Sequence, residues 1–137
     1  MAETLAGSCL CGAVRIALAG APIRVGICHC LDCRKKTGSV FAVWAIYRTD
    51  RLEVAGETAT HESNGYTRHV CAACTTPLYE TQAGADEVEV FGGVLDEPNR
   101  LTPAYELWTV RREGWLPPLP LERHHVRDPE RSAGSDS

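Results

Sequence analysis

Apolar and polar residues alternate along much of the chain with a period of two. In the segment AVRIALA, residues 13–19, Val14, Ile16 and Leu18 point to one side and Arg15 points to the other. Successive side chains of a strand face opposite sides of the sheet, so this pattern predicts a half-buried strand. Similar segments, separated by Gly, Pro, Asn or Asp, predict strands at 23–27, 40–47, 52–54, 68–71, 77–80, 88–92 and 105–110. The chain is therefore predicted to be mainly β.

One short segment, LDCRKKTG at residues 31–38, has the features of a helix instead. We expect Asp32 to cap its start and Gly38 to end it. Lys35 and Lys36 would then lie near the negative end of the helix dipole, where cations are favoured.

The length of 137 residues suits one domain. We place this domain at residues 1–120 and predict a C-terminal extension at residues 121–137, partly disordered because its last residues are small and polar. The junction, LPPLPLERHH, is rich in proline and predicts an extended path along the surface, with His124 and His125 in solvent.

The net charge of the chain limits the kinds of molecule that it is expected to bind. Fourteen Lys and Arg residues against eighteen Asp and Glu give a formal net charge of −4. Such a charge does not favour binding to nucleic acid or to an anionic membrane. The sequence also shows neither a signal peptide nor a run of about 20 apolar residues. We therefore expect a soluble cytoplasmic protein that binds a small molecule or a protein partner, in an oligomeric state that the sequence leaves open.

Seven cysteines fall into three groups along the chain. A reducing cytosol disfavours structural disulfides, and an odd number of cysteines cannot pair completely. The two outer groups are close pairs, and two such pairs supply the four ligands of a closed tetrahedral zinc site. We predict that this structural zinc is held by Cys9, Cys11, Cys71 and Cys74.

The middle group, Cys28, Cys30 and Cys33, is one ligand short of a tetrahedron. A zinc ion held by these three thiolates keeps a position open, and open zinc sites are catalytic sites. Three thiolates acidify a bound water less than three imidazoles do, whereas an incoming thiol is a good fourth ligand. We therefore predict two zinc ions per chain. The alternatives are one zinc with the other thiols buried, an iron–sulfur cluster, or a disulfide framework.

Five segments that cover Gly7 to Pro120 resemble one known family in their order and spacing. They are GSCLCGAVRI, CHCLDCRKKTGSVFAVWA, TRHVCAACTTPLY, VEVFGGVLDEP and YELWTVRREGWLPPLP, and the family is the glutathione-dependent formaldehyde-activating enzymes. The resemblance implies an Mss4-like β fold and a carbon–sulfur lyase that joins glutathione to formaldehyde as S-(hydroxymethyl)glutathione. It also implies a structural zinc at the outer cysteines and a catalytic zinc at the middle ones. Thr75 is a departure, because the family often has Gly there, which eases a turn with positive φ.

Several other residues near the middle cysteines have two interpretations. Arg34, Lys35 and Lys36 either offset the charge of a zinc trithiolate and meet a carboxylate of glutathione, or form a solvated basic turn. His29 lies between two proposed ligands, and in an extended segment it would point away from the metal.

Residues farther along the chain receive structural interpretations. The aromatic residues are interpreted as packing residues, and Gly92 and Gly93 as a turn or bulge. Asp96 and Glu97 suit an exposed turn at least as well as a role as acid or base. The aromatic set is Phe41, Trp44, Tyr105, Trp108 and Trp115.

Two further functions compete with the thiol-adding enzyme. A zinc-dependent hydrolase would share the open site but would need bound hydroxide and a nearby base. A non-catalytic zinc module that binds a protein partner would instead complete the middle site with a protein ligand such as His29 or His69.

Overall fold

A computed structural model describes residues 3–129 of the chain, and its elements are mostly short strands. The strands are β1 (Thr4–Ser8), β2 (Arg15–Ala19), β3 (Arg24–Cys28), β4 (Ala42–Arg48), β5 (Leu52–Ala55), β6 (Thr58–Ser63), β7 (Tyr66–Cys71), β8 (Pro77–Gln82), β9 (Glu87–Phe91), β10 (Tyr105–Leu107) and β11 (Arg123–His124). The α-helix is α1 (Leu31–Thr37), and 3-10 turns occupy Thr49–Arg51, Gly92–Val94 and Thr109–Arg111.

The strands form two sheets. The smaller sheet has the order β1-β2-β5, and the larger has the order β11-β10-β3-β4-β9-β8-β7-β6. Neighbouring strands are antiparallel except around β10, which pairs in parallel with both β3 and β11. The C-terminal strand therefore lies at the edge of the larger sheet, two strands away from the strand that ends at Cys28.

The main core contains residues from both sheets. Leu5, Ile16 and Leu18 of the smaller sheet belong to the same buried cluster as Tyr47 and Leu78 of the larger sheet. The alternation in β2 is as predicted, because Ile16 and Leu18 are buried and Arg15 is exposed. Burial of these apolar side chains is the main favourable term in the stability of so small a domain.

The predicted helix is confirmed, but its start is not as predicted. Gly38 ends α1 in the left-handed region with φ of 73°, as expected. The N-cap is Cys30 rather than Asp32, because the Cys30 sulfur accepts a hydrogen bond from the backbone N–H of Cys33. Asp32 instead lies in the first turn and accepts a hydrogen bond from Asn64.

Other elements depart from the sequence prediction in specific ways. The sequence pattern did not predict β1, β6 or β11, and the strand predicted at 105–110 ends at Leu107, before a 3-10 turn. Residues 121–129 of the predicted C-terminal extension are described, and the rest of that extension, 130–137, lies outside the described residues. Within the described range, none of the helices has the length and apolar character required to cross a bilayer.

The turn between β7 and β8 contains a threonine in an unfavourable backbone conformation. Thr75 has φ of 66°, and its N–H donates to the carbonyl oxygen of Cys71 at 3.0 Å. A β-branched residue is strained in this region, which glycine occupies freely. The turn thus keeps its left-handed residue with a threonine at this position.

Gly26 allows β3 and β10 to pair closely. A β-carbon at this position would lie 2.2 Å from Cε2 of Tyr105, its partner in the parallel register. No side chain larger than hydrogen fits there unless the tyrosine ring moves. Glycine at residue 26 therefore leaves space for a ring that borders the site described below.

We expect Thr75→Gly to stabilise the protein by about 1 kcal/mol. Relief of left-handed strain, about 1–3 kcal/mol, exceeds the added entropy of an unfolded glycine, about 0.5–1 kcal/mol. Urea unfolding at one fixed zinc concentration measures the change. Thr75→Ala is the control, because it keeps the β-carbon that causes the strain. An equal gain from both variants would contradict this account.

We expect Gly26→Ala to destabilise the protein by about 1–3 kcal/mol, the usual effect of an overpacked position. Gly93→Ala is the matched control, because a β-carbon there meets nothing within 4 Å. Thermal unfolding of the two variants provides the comparison. Equal melting temperatures would show that Tyr105 moves aside without cost.

Candidate functional site

The outer cysteines come together although about sixty residues separate the two pairs. Cys9 and Cys11 lie in the connection from β1 to β2, and Cys71 and Cys74 lie at the turn after β7. Their four sulfur atoms are all within 4.8 Å of one another. The group therefore joins a loop of the smaller sheet to a strand end of the larger one.

The spacing of these sulfurs fits a tetrahedral zinc ion. The Cys9 and Cys11 sulfurs are 3.6 Å apart, and those of Cys11 and Cys71 are 3.8 Å apart. Zinc–sulfur bonds of about 2.3 Å imply sulfur–sulfur edges of about 3.8 Å in a regular tetrahedron. Backbone N–H groups of Val14 and Ala73 also point at two of the sulfurs, at 3.2 and 3.3 Å. Such donors stabilise the thiolate form that binds metal.

The middle cysteines form a second group, at the junction of β3 and α1. Cys28 ends the strand, Cys30 caps the helix, and Cys33 lies in its first turn. Their sulfurs are also within 4.8 Å of one another. Within residues 3–129, the group contains no fourth His, Cys, Asp or Glu ligand. The donor set thus suits a metal ion that keeps one position open.

Within the middle group, the three sulfurs differ in how easily they lose a proton. Hydrogen bonds from the Cys28 and Cys33 thiols lower the pKa of Cys30. Hydrogen bonding with Cys30 and with Cys33 raises the pKa of Cys28. The indole N–H of Trp44 donates to the Cys33 sulfur at 3.3 Å. Thiolate is the form of cysteine that binds metal, and Cys30 is the member of the group whose surroundings favour it.

His29 points away from the thiols, as the sequence analysis expected, and it is fully buried. Its Nε2 donates to Oε1 of Glu106 at 2.7 Å. Oε2 of the same carboxylate accepts from Nη2 of Arg112 at 3.0 Å and from Nδ1 of His124 at 2.5 Å. Although burial opposes it, these hydrogen bonds, that of His29 first, lower the pKa of Glu106. His124, expected in solvent, is thus bound to this network.

The basic residues after Cys33 have different surroundings. Arg34 pairs with Glu113 at 2.6 Å and Lys36 pairs with Glu80 at 2.9 Å, whereas Lys35 is exposed. Burial opposes the charge of Lys36, but its hydrogen bond with Glu80 raises its pKa. Lys36 is the member of this cluster that borders the cavity described next.

A cavity of about 450 Å³ opens onto the middle cysteines. Volumes of this size are typical of sites for small molecules. Its charged lining balances three cations with three carboxylates, and its other walls include four aromatic side chains. The charged residues are Arg24, Lys36, Arg111, Asp32, Glu89 and Asp128, and the aromatic ones are Trp44, Tyr66, Tyr105 and Trp108.

The histidines considered as a fourth ligand are both engaged elsewhere. His29 binds Glu106, and His69 binds the Thr81 hydroxyl at 2.9 Å while it stacks on Tyr79. Neither belongs to the middle thiol group. The geometry therefore does not support the zinc module whose middle site is closed by one of these histidines.

The structure also places the remaining candidates. Gly92 is in a 3-10 turn, and the Asp96 carboxylate accepts a hydrogen bond from Ser8 at 2.5 Å. Glu97 pairs with Arg100 at 2.5 Å. None of these residues lines the cavity at the thiols.

Sequence reasoning missed several residues of the cavity. Trp44, Tyr105 and Trp108, interpreted as packing residues, also form its walls, and Trp44 contacts a sulfur directly. Glu106 received no role, although a glutamate inside an apolar strand signals a buried carboxylate that requires partners. Its partner His29 lies 77 residues away, so no local pattern connects the two.

The fold has been seen before in a solved structure. A crystal structure of a Rhodobacter sphaeroides protein, a structural genomics target, matches with a TM-score of 0.57 and 23% sequence identity. The match covers 70% of this chain and 92% of the other. At this identity the similarity supports the fold alone. The search of curated proteins returned no match.

A family model gives the stronger result. The model described as "Glutathione-dependent formaldehyde-activating enzyme" matches residues 4–111, which include all seven cysteines. The resemblance noted in the sequence is therefore confirmed, and the β-rich architecture, with two cysteine groups that could hold metal, agrees with the Mss4-like fold expected of it. The chain belongs to the glutathione-dependent formaldehyde-activating enzyme family.

Proposed function

We propose that the chain is a zinc-dependent carbon–sulfur lyase that adds glutathione to a small aldehyde such as formaldehyde. The product is S-(hydroxymethyl)glutathione. One observation supports this most: a three-thiol group, with room for a fourth ligand, opens onto a cavity of about 450 Å³ in a member of this family.

The reaction forms one carbon–sulfur bond. The thiol loses its proton, its sulfur bonds to the aldehyde carbon, and the former carbonyl oxygen takes up a proton to become a hydroxyl group. Zinc, when bound, supplies a Lewis acid that favours the thiolate form of an incoming thiol. The reaction requires neither oxidant nor reductant, so no redox partner is needed.

The two cysteine groups would have different roles. Cys28, Cys30 and Cys33 would hold the catalytic zinc, and the indole N–H of Trp44 would orient the Cys33 sulfur. The outer group, Cys9, Cys11, Cys71 and Cys74, would hold a structural zinc. This gives two zinc ions per chain.

The cavity also contains a cationic side chain that could bind a carboxylate of glutathione. Arg24 and Lys36 pair with Glu87 and Glu80, whereas Arg111 makes no ion pair within residues 3–129. Arg111 is exposed at the cavity, and a guanidinium binds a carboxylate with two parallel hydrogen bonds. We assign it this role and leave the paired cations with their structural partners.

The state of the cysteines bears on the cellular compartment in which the enzyme works. All seven cysteines are free, and their sulfurs serve this function only when reduced. We therefore propose that the enzyme works in the reducing cytoplasm. Its partners there would be a small thiol and a small aldehyde.

We expect two zinc ions per chain and unequal effects of cysteine substitution. Cys71→Ser removes a ligand of the closed group, whose metal-binding free energy is of order 10 kcal/mol, and should lower the melting temperature strongly. Cys30→Ser should remove only the second zinc, because serine keeps the helix cap. Elemental analysis and thermal unfolding measure both effects. A stoichiometry near one, or equal loss of stability in the two variants, would contradict the two-site model.

We expect the zinc-loaded protein to accelerate exchange between glutathione plus formaldehyde and their adduct. The uncatalysed addition already proceeds, so the measurement must report exchange rates rather than yield. Exchange-sensitive NMR on an equilibrium mixture does this, with Cys30→Ser as the control. Equal rates with native protein, with the variant and without protein would exclude this substrate pair.

A further inference from the structure

The segment at residues 121–129, here called the C-terminal strap, borders the cavity of the proposed function. Asp128 lines the cavity, although the family model ends its match at residue 111. The strap joins the larger sheet through β11, which pairs in parallel with β10. Its His124 side chain binds Glu106, and the His125 N–H donates to the Glu106 carbonyl oxygen at 2.9 Å.

The cavity wall next to the strap contains a strained residue. Trp108 has φ of 58° and ψ of 43°, in the left-handed region that large side chains avoid. A residue stays in such a conformation only when surrounding contacts hold it there. Strain of this kind is commonly found at sites that bind ligands.

The strap supplies those contacts. The indole N–H of Trp108 donates to Oδ1 of Asp128 at 2.8 Å, and the Arg127 guanidinium lies 5.9 Å from the centre of the indole ring. The backbone N–H of Trp108 donates to the Arg127 carbonyl at 3.4 Å. The next two residues, Thr109 and Val110, donate to carbonyls of the strap at 3.1 and 3.3 Å.

Trp108 is thereby placed between the strap and the thiols. Its indole packs against the buried cluster that contains Cys28, Cys33 and Trp44, and it lines the cavity beside them. A thiol whose sulfur reaches the middle cysteines has this wall beside it for its remaining atoms. A rigid indole provides a large contact area at low conformational cost.

We propose that Trp108 and Asp128 determine specificity for the peptide portion of a peptide thiol. The C-terminal strap is the element that holds the two residues in place. The proposal rests on the proposed function and extends it to the substrate atoms remote from the sulfur. A thiol too small to reach the indole gains nothing from the pair. The strap thus selects a tripeptide thiol over a small one.

The test uses the full chain loaded with zinc and three ligands. Glutathione presents both sulfur and peptide, S-methylglutathione presents the peptide with a blocked sulfur, and cysteamine presents a thiol without a peptide. Dissociation constants come from isothermal titration calorimetry. We expect Asp128→Ala to bind glutathione and S-methylglutathione about tenfold more weakly, and cysteamine as native protein does. In the exchange assay the same variant should raise KM for glutathione and leave kcat unchanged.

Two further variants separate positioning from a general effect of substitution. Asp128→Asn keeps an oxygen acceptor for the indole N–H and should restore most of the affinity. Asp50→Ala is the matched control, because Asp50 is also exposed and hydrogen-bonded, to Arg48, but lies away from the cavity. Trp108→Phe lacks the indole N–H, so adding Asp128→Ala to it should cost little further affinity.

The possible results are distinct. Unchanged affinity of Asp128→Ala for both peptides, or an equal loss for cysteamine, would overturn the role in specificity. Additive losses in the Trp108→Phe, Asp128→Ala double variant would overturn the contact between the two residues. If native protein bound neither peptide ligand, the proposed function itself would fail, and the role of the strap in peptide recognition would fail with it.

Discussion

The buried carboxylate of Glu106 holds together the parts of the chain that make the site. A carboxylate away from water is costly unless charged or polar donors surround it. Glu106 meets this requirement with donors from three places: His29 in the thiol turn, Arg112 after the 3-10 turn, and His124 in the last strand. Removal of any one of them would leave a buried charge short of a partner. The Glu106 carboxylate therefore fixes the segment that carries the middle cysteines relative to the wall of the cavity.

The parallel pairing around β10 places these donors correctly. Glu106 lies opposite Ile27 of β3 and opposite His124 of β11, and the backbone N–H of His29 donates to the Leu107 carbonyl at 3.0 Å. The segment from Cys28 to Cys30 is thus held by its backbone and by the side chain of His29. An open metal site needs such support, because it has one ligand fewer to keep its geometry.

The sequence predicted those parts of the fold and the candidate site that depend on residues close together in the chain. Alternation revealed β2 because its inward residues are large and apolar, and spacing separated the cysteine groups because the ligands of each pair are close in sequence. β1 and β6, with the sequences TLAGS and TATHES, gave no such signal, because Leu5 is the one large apolar residue in the two strands. The helix start was misplaced because a cysteine sulfur, rather than the expected Asp32 carboxylate, accepts the cap hydrogen bond. The left-handed Trp108 follows from contacts made 17 to 20 residues later in the chain, so local propensity could not indicate it.

The two cysteine groups differ in how much chain must exist before their sulfurs can meet. The middle group spans residues 28–33, so its thiols can gather once a short segment and its helical turn have left the ribosome. The outer group needs residue 74 to join residue 9, and closing a loop of that length costs more entropy. Contacts distant in sequence form late in folding and slow it. During synthesis all three thiols of the middle group therefore leave the ribosome before the outer group has its last two members, Cys71 and Cys74.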